Sequence, residues 1–280
     1  MRLSIVLSTH AAQFEAVAFK GDLASNVAKV AGWGYDAVEV AVRDPGLVDP
    51  DELESLVSRN GLSVAAIGTG QAWGEEGLSL TSDDPSIRTA ARQRLESHVP
   101  LAQRLDSLII LGLIRGITPK DQTHEQSMGY LIEALKGCTA VAAKAGVRFA
   151  LEPLNRYETD LVHTVAEGLD LIDRVGADNL GLLLDTFHMN IEEPGIEQSM
   201  KACGDRIFHF HVADSNRWYP GAGHLDFGAI LATLSATGYR GYVSGEFMPM
   251  PDADTAAERG LRHLRAVLQR GGAAPGTGGG

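Results

Sequence analysis

Residues 151–160 read Leu-Glu-Pro-Leu-Asn-Arg-Tyr-Glu-Thr-Asp, a short apolar run that delivers Glu152 and then turns at Pro153. A carboxylate set at the end of a buried strand is costly to keep charged unless a cation or hydrogen bonds meet it. Glu152 is therefore read as part of a metal site, and the remainder is sought at similar strand ends downstream. Asp185 closes Leu182-Leu183-Leu184, His211 closes Ile207-Phe208-His209-Phe210, and Glu246 closes Tyr242-Val243-Ser244-Gly245. Four ligand-type residues thus end four successive apolar segments.

Those segments belong to a longer series of strand-then-helix units. Residues 3–7 precede a helix over about 23–31, residues 37–42 precede an acidic helix start at 49–52, residues 62–67 a helix over 85–105, and residues 108–113 a helix over 124–145. In the second half, strands at 147–152, 180–185, 207–211 and 242–246 alternate with helices near 165–175, 196–202, 227–237 and 253–269. Eight such units with apolar, β-branched strands predict an α/β fold, a single (β/α)8 TIM barrel over residues 1–270. An open doubly wound sheet is the rival, but no GxGxxG follows the first strand. From residue 271 the chain reads Gly-Gly-Ala-Ala-Pro-Gly-Thr-Gly-Gly-Gly, which has nothing to bury and is expected to be a disordered tail over 271–280.

Composition narrows the function classes. The 280 residues are 44% hydrophobic and 21% charged, enough for a large core. The net charge of -12 and the lack of a Lys/Arg cluster argue against nucleic acid as a partner. Cys138 and Cys203 stand far apart, in neither a CxxC pair nor a zinc-ribbon spacing, as expected for a reducing compartment. The apolar run after Met1-Arg2 is too short for a signal peptide and no segment approaches a membrane span, so a cytoplasmic protein without membrane association is expected.

In a barrel, the C-terminal ends of the parallel strands meet at one rim. Neighbouring strands lie about 5 Å apart, so the ends of strands five to eight can surround one ion. Three carboxylates and an imidazole favour one divalent metal, Mn²⁺ first with Mg²⁺, Co²⁺ or Zn²⁺ behind it. Singly, each residue has an ordinary alternative: Asp185 as a helix cap, a strand-end Glu paired with an Arg, His211 as a core histidine. Their conjunction at four strand ends favours the metal. His209 shares a strand face with His211 and is read as supporting the site from one layer below, and Glu39, midway along the second strand, as a buried hydrogen-bonding group.

Three blocks carry a family resemblance: residues 152–158 (Glu-Pro-Leu-Asn-Arg-Tyr-Glu), 184–193 (Leu-Asp-Thr-Phe-His-Met-Asn-Ile-Glu-Glu) and 209–217 (His-Phe-His-Val-Ala-Asp-Ser-Asn-Arg). They resemble the signatures of the xylose-isomerase-like sugar isomerase and epimerase barrels, in particular the D-tagatose 3-epimerase group. Residues 18–22, 41–45, 67–71 and 214–218 are most similar to its 5-keto-L-gluconate epimerase branch. The resemblance implies that Glu152 and Glu246 are bridging carboxylates, that Asp185 and His211 complete the metal site, and that Glu158, His188 and Arg217 hold substrate. It also implies a homodimer or homotetramer acting on a small keto-sugar or keto-acid.

The implied reaction inverts the carbon next to a ketone through an enediolate, with Glu152 and Glu246 as the two bases on opposite faces. His188 and Arg217 would donate hydrogen bonds to the carbonyl oxygen as it gains charge. The sequence departs from the ketohexose enzymes after strand four, where it reads Gly112-Leu113-Ile114-Arg115-Gly116. Arg115 is therefore expected at the rim as a clamp for a substrate carboxylate, which points to a keto-uronate. Trp73 and Trp218 are expected to cover the pocket. The alternatives are an aldose-ketose isomerase using the same groups, an endonuclease-like barrel acting at abasic sites, which the acidic charge opposes, and a ligand-binding barrel without catalysis.

Overall fold

The computed structural model describes residues 1–11 and 13–272. Eight parallel strands close a barrel in sequence order: β1 (Arg2–Ser8), β2 (Ala37–Ala41), β3 (Ser63–Gly68), β4 (Leu108–Leu111), β5 (Phe149–Leu151), β6 (Leu180–Asp185), β7 (Ile207–Val212) and β8 (Tyr242–Gly245). Closure is made by β1 against β8, with Arg2 opposite Tyr242. The (β/α)8 architecture expected from the alternating segments is the one observed.

The helices are α1 (Leu23–Trp33), α2 (Pro50–Arg59), α3 (Gln71–Glu76), α4 (Pro85–Ser97), α5 (Val99–Arg104), α6 (His124–Lys144), α7 (Val165–Val175), α8 (Thr186–Glu192), α9 (Ile196–Cys203), α10 (Phe227–Ala236) and α11 (Ala253–Gly272). Local chemistry sets where several begin. Asp49 and Asp84 each cap a helix whose first residue is proline, and Thr123 and Thr164 form reciprocal capping boxes with Gln126 and Glu167. The single helix expected over 85–105 is instead two helices that meet at His98. Pro100 lacks an N–H and its ring collides with the carbonyl four residues back, so α4 cannot run through it. The short helices α3 and α8 were not anticipated. Of the tail expected over 271–280, residues 271 and 272 end α11 and residues 273–280 lie outside the described residues.

The strands are almost wholly buried, as parallel strands covered on both faces must be. Leu3, Ile5 and Leu7 of β1 join Val27 and Val30 of α1 in the main core, while Ala66, Leu108, Ile110, Ala150 and Leu183 form a separate apolar cluster on which Phe208 packs. Two register shifts interrupt the ladders, one between Val38 and Glu39 and one between Leu182 and Leu183, where β7 pairs through Ile207 and then His209. Bulges of this kind bend a strand and re-aim its side chains. Among the described residues no helix is long and apolar enough to cross a membrane.

Candidate functional site

The barrel's strand register brings the four ligand-type residues together. Asp185, the last residue of β6, pairs directly with His211 of β7. Glu152 and Glu246 lie one residue past β5 and β8, yet their N–H groups still donate to Leu111 O (3.1 Å) and Val212 O (3.3 Å), so the ladder holds both at the rim. One ligand atom from each of Glu152, Asp185, His211 and Glu246 lies within 4.8 Å of all the others.

The two nitrogens of His211 have different surroundings. Nε2 lies 2.9 Å from Glu39 Oε2, an oxygen that His209 Nε2 also meets at 2.8 Å; these are hydrogen-bond lengths. Nδ1 lies 3.7 Å from Glu152 Oε1, 3.8 Å from Asp185 Oδ2 and 3.8 Å from Glu246 Oε2. Those separations are too long for hydrogen bonds, but they suit ligands sharing one ion at about 2.1 Å, since such atoms lie at most about 4.2 Å apart. Glu152 Oε1 and His211 Nδ1 are buried and have no hydrogen-bond partner. A donor set of three carboxylates and one imidazole with orphaned atoms turned towards one another fits a divalent cation.

The electrostatics point the same way. Burial disfavours charge on His211, but the carboxylates of Glu39, Glu246 and Glu152 outweigh it and hold the imidazole well above its ordinary range. Burial and the neighbouring Glu152 and Asp185 push Glu246 well above the usual carboxylate range, against the pull of His211 and Arg217. For Glu152, burial is overcome by His211, His188 and Arg115, and its carboxyl sits below the ordinary value. Holding Glu152 and Glu246 both ionised therefore calls for positive charge beyond that of the neighbouring side chains.

The residues expected to hold substrate stand beside this cluster. His188, on α8, takes the backbone N–H of Asn155 (3.2 Å) and the Asn155 amide (2.7 Å) at Nδ1. Its proton is thereby assigned to Nε2, which is buried, unpartnered and 3.8 Å from Glu152 Oε1. Arg217 Nη1 donates to Glu158 Oε1 at 2.7 Å, while Nε and Nη2 are buried without hydrogen-bond partners, Nη2 lying 3.8 Å from Glu246 Oε2. Phe14 and Phe187 flank its guanidinium at 5.2 and 4.7 Å, and its backbone holds a φ of 60°, left-handed and costly for a residue with a Cβ. Glu152, Glu158, His188, His211, Arg217 and Glu246 all line one cavity of about 290 Å³, near the lower end of the small-ligand range of about 300–1,000 Å³. Val6, Phe14, Val17, Ala41, Ile110 and Leu113 supply an apolar wall, and Trp73 lines the same space.

Arg115 requires a correction. It is fully buried and does not line the cavity. Its guanidinium donates to the carbonyls of Gly112, Leu161, Val162, Leu111 and Glu152, so all five N–H groups are spent on backbone. Nothing is left to clamp a carboxylate. Gly116, the next residue, has a φ of 89°, and a Cβ there would strike Ser79 Oγ, so the turn that follows Arg115 requires glycine. Trp218 likewise is absent from the cavity wall. Asn155 and Phe14 are the residues that sequence reasoning passed over. Asn155 stood inside the quoted block 151–160, whereas Phe14 lies in a stretch without periodicity to mark it.

A closed eight-stranded barrel with a carboxylate and histidine cluster at its C-terminal rim defines the class, and comparison with known proteins gives the family. The model of the xylose isomerase-like TIM barrel family matches residues 27–267, and the chain belongs to that family. It is 34% identical over 224 residues to an L-ribulose 3-epimerase of Methylomonas sp., covering 79% of this chain and 76% of that one. It is 32% identical over 232 residues to a D-psicose 3-epimerase of Ruminiclostridium cellulolyticum, covering 80% and 78%. Among solved structures, D-psicose 3-epimerase from Clostridium cellulolyticum with D-tagatose superposes with a TM-score of 0.82 at 26% identity, covering 96% of this chain and 99% of that one. These homologues are carbohydrate epimerases by name.

Proposed function

We propose that the protein is a divalent-metal-dependent epimerase that inverts the carbon next to the ketone of a neutral ketose. The observation that carries this reading is the convergence of two carboxylates, Glu152 and Glu246, with unspent donors at His188 Nε2 and Arg217 Nε and Nη2 in one cavity. The named activities of the relatives support it.

Glu152, Asp185, His211 and Glu246 would hold the ion, Mn²⁺ before Mg²⁺, Co²⁺ or Zn²⁺. When bound, it supplies Lewis-acid stabilisation of negative charge developing on the substrate's oxygens. Glu152 and Glu246, delivered by β5 and β8, approach the reacting carbon from two sides. One takes the proton from one face and the other returns a proton to the opposite face, with an enediolate between. His188 and Arg217 direct N–H groups at the oxygen that gains charge. Glu158 holds Arg217 in place and offers an acceptor to substrate hydroxyls.

The cavity favours a neutral sugar over a keto-uronate. Arg217 is the one Lys or Arg among the described residues lining it, and Glu158 already pairs with it. Glu39, Glu75, Glu152 and Glu246 line the same space, so a substrate carboxylate would meet repulsion. The test is a panel of neutral ketoses and keto-uronates incubated with Mn²⁺-loaded enzyme in D₂O, read by NMR. One deuterium at an inverted carbon beside a retained ketone is expected, on the neutral sugars. A carbonyl moved along the chain would make the protein an aldose-ketose isomerase, and turnover confined to keto-acids would overturn the substrate class.

A further inference from the structure

We infer that Glu39 is a positioning residue for the metal centre, fixing the tautomer and rotation of His211 so that the Nδ1 lone pair faces the ion. The inference rests on the metal-dependent reading above. Glu39 stands in the middle of β2 and is 1% exposed, a place where an unpaired carboxylate is costly. Among the described residues its ion-pair partners are His209 and His211, and both reach the same oxygen, Oε2. A carboxylate accepts and does not donate, so each imidazole must present an N–H at Nε2. A neutral His211 therefore carries no proton on Nδ1, the nitrogen that faces Glu152, Asp185 and Glu246.

The backbone is adapted to this contact. The two register shifts in the barrel fall beside Glu39 on β2 and opposite His209 of β7. At β7 the pairing passes from Ile207 to His209, and Phe208 packs on the Ala66 and Leu183 cluster. His209 meets the His211 ring edge to face at 5.2 Å and holds Glu39 Oε2 from a second direction. Glu39 cannot swing away without leaving two buried N–H groups unpaired, and this makes the orientation of His211 rigid. The trio could instead be read as a second ion site, since its three atoms also lie within 4.8 Å of one another. Their contacts of 2.8 and 2.9 Å are hydrogen-bond lengths already satisfied within the trio, whereas the rim quartet is spaced for an ion.

In Glu39→Gln the carbonyl oxygen can still meet both imidazoles, but it carries no full negative charge, so the contacts lose their charge-assisted part and His211 is held less firmly and made a weaker ligand. Outer partners of metal-bound histidines are worth about 10- to 100-fold in affinity. The experiment measures Mn²⁺ binding by calorimetry and by the EPR signal of free Mn²⁺, without substrate, in wild type, Glu39→Gln, Glu39→Asp and His209→Gln. Wild type is expected to bind one ion per chain and Glu39→Gln to bind it about 10- to 100-fold more weakly. At saturating Mn²⁺ the variant's kcat should recover to within about tenfold with an unchanged substrate KM. Should Glu39→Gln not fold, Glu39→Asp, which keeps the acceptor one methylene short, must bind more weakly than wild type, and His209→Gln less weakly than either.

Equal Mn²⁺ affinity across the folded Glu39 variants would overturn the inference. So would two ions in wild type with one lost in Glu39→Gln, because the trio would then be a site itself. The epimerase reading fails separately, if wild type binds Mn²⁺ with the expected differences but turns over no ketose.

Discussion

Arg115 shows how far one side chain's role can lie from its position in the chain. It sits just past β4, where a clamp was expected, yet its fork ties together the carbonyl ends of β4, β5 and the loop at residues 161 and 162. Burial pushes its guanidinium down to about 10, with Glu152 acting in the other direction, so the group stays charged at neutral pH. Arg115→Met would leave the buried carbonyls of Leu161 and Glu152 without a donor, while those of Leu111, Gly112 and Val162 keep a backbone N–H, at about 1–3 kcal/mol for each orphan that finds no water. A loss of at least about 2 kcal/mol is expected in the unfolding free energy measured with denaturant. Arg115→Lys keeps the charge but has three donors on a single nitrogen, so it should restore only part of that loss. Neither change should lower turnover of keto-acids relative to neutral ketoses. A loss confined to keto-acids would return Arg115 to the substrate.

At the scale of elements, the loop after β7 carries Arg217 and is built around one carboxylate. Asp214 accepts the N–H groups of Ser215 (2.8 Å), Gly221 (2.8 Å) and Leu225 (3.1 Å). Burial raises the Asp214 carboxyl, but backbone donors led by Gly223 and Leu225 outweigh it and hold it below the usual aspartate range. A depressed folded-state value means that the charged form adds stability above the unfolded-state value and that this stability is lost as pH falls through the folded one. Asp214→Asn should therefore destabilise by about 1–3 kcal/mol at pH 7. That difference should shrink below the ordinary aspartate range, where the wild-type side chain is also neutral. A difference independent of pH in thermal melts would contradict this account. The same scale shows what the sequence could express. An apolar run closed by Glu152, Asp185, His211 or Glu246 is legible because strand and rim are both written in residue type. The short helix α8 is not, since Asp185 serves at once as ligand candidate and as cap for the Phe187 N–H, and a seven-residue helix has too few turns to show a period. Nor is the inward turn of Arg115, because the direction of a long side chain depends on where carbonyls from three distant segments converge.

For the whole molecule, the candidate metal centre is a crosslink among β5, β6, β7 and β8, half of the closed barrel. An ion that binds the folded barrel and not the unfolded chain stabilises it by mass action, about 2.7 kcal/mol at a hundredfold excess over Kd. For a chain of this length that corresponds to a rise of roughly 5–10 °C in Tm, reversed by chelation and restored by Mn²⁺. A general salt effect would also move Tm, so the decisive variant must remove the ion without disturbing the apo fold. Asp185→Asn is suited to this. Its Oδ1 accepts the Phe187 N–H at 2.6 Å, and asparagine caps helices about as well as aspartate, so α8 should keep its start. Oδ2, the atom that faces His211 Nδ1, becomes an amide nitrogen with no lone pair to offer. The chelated variant should melt no lower than chelated wild type, because the cap is kept and one of the crowded negative charges beside Glu246 is removed. Added Mn²⁺ should raise Tm far less in the variant than in wild type. An equal rise in both would place the bound ion away from the rim of β5 to β8 and remove the basis for metal-assisted epimerisation there.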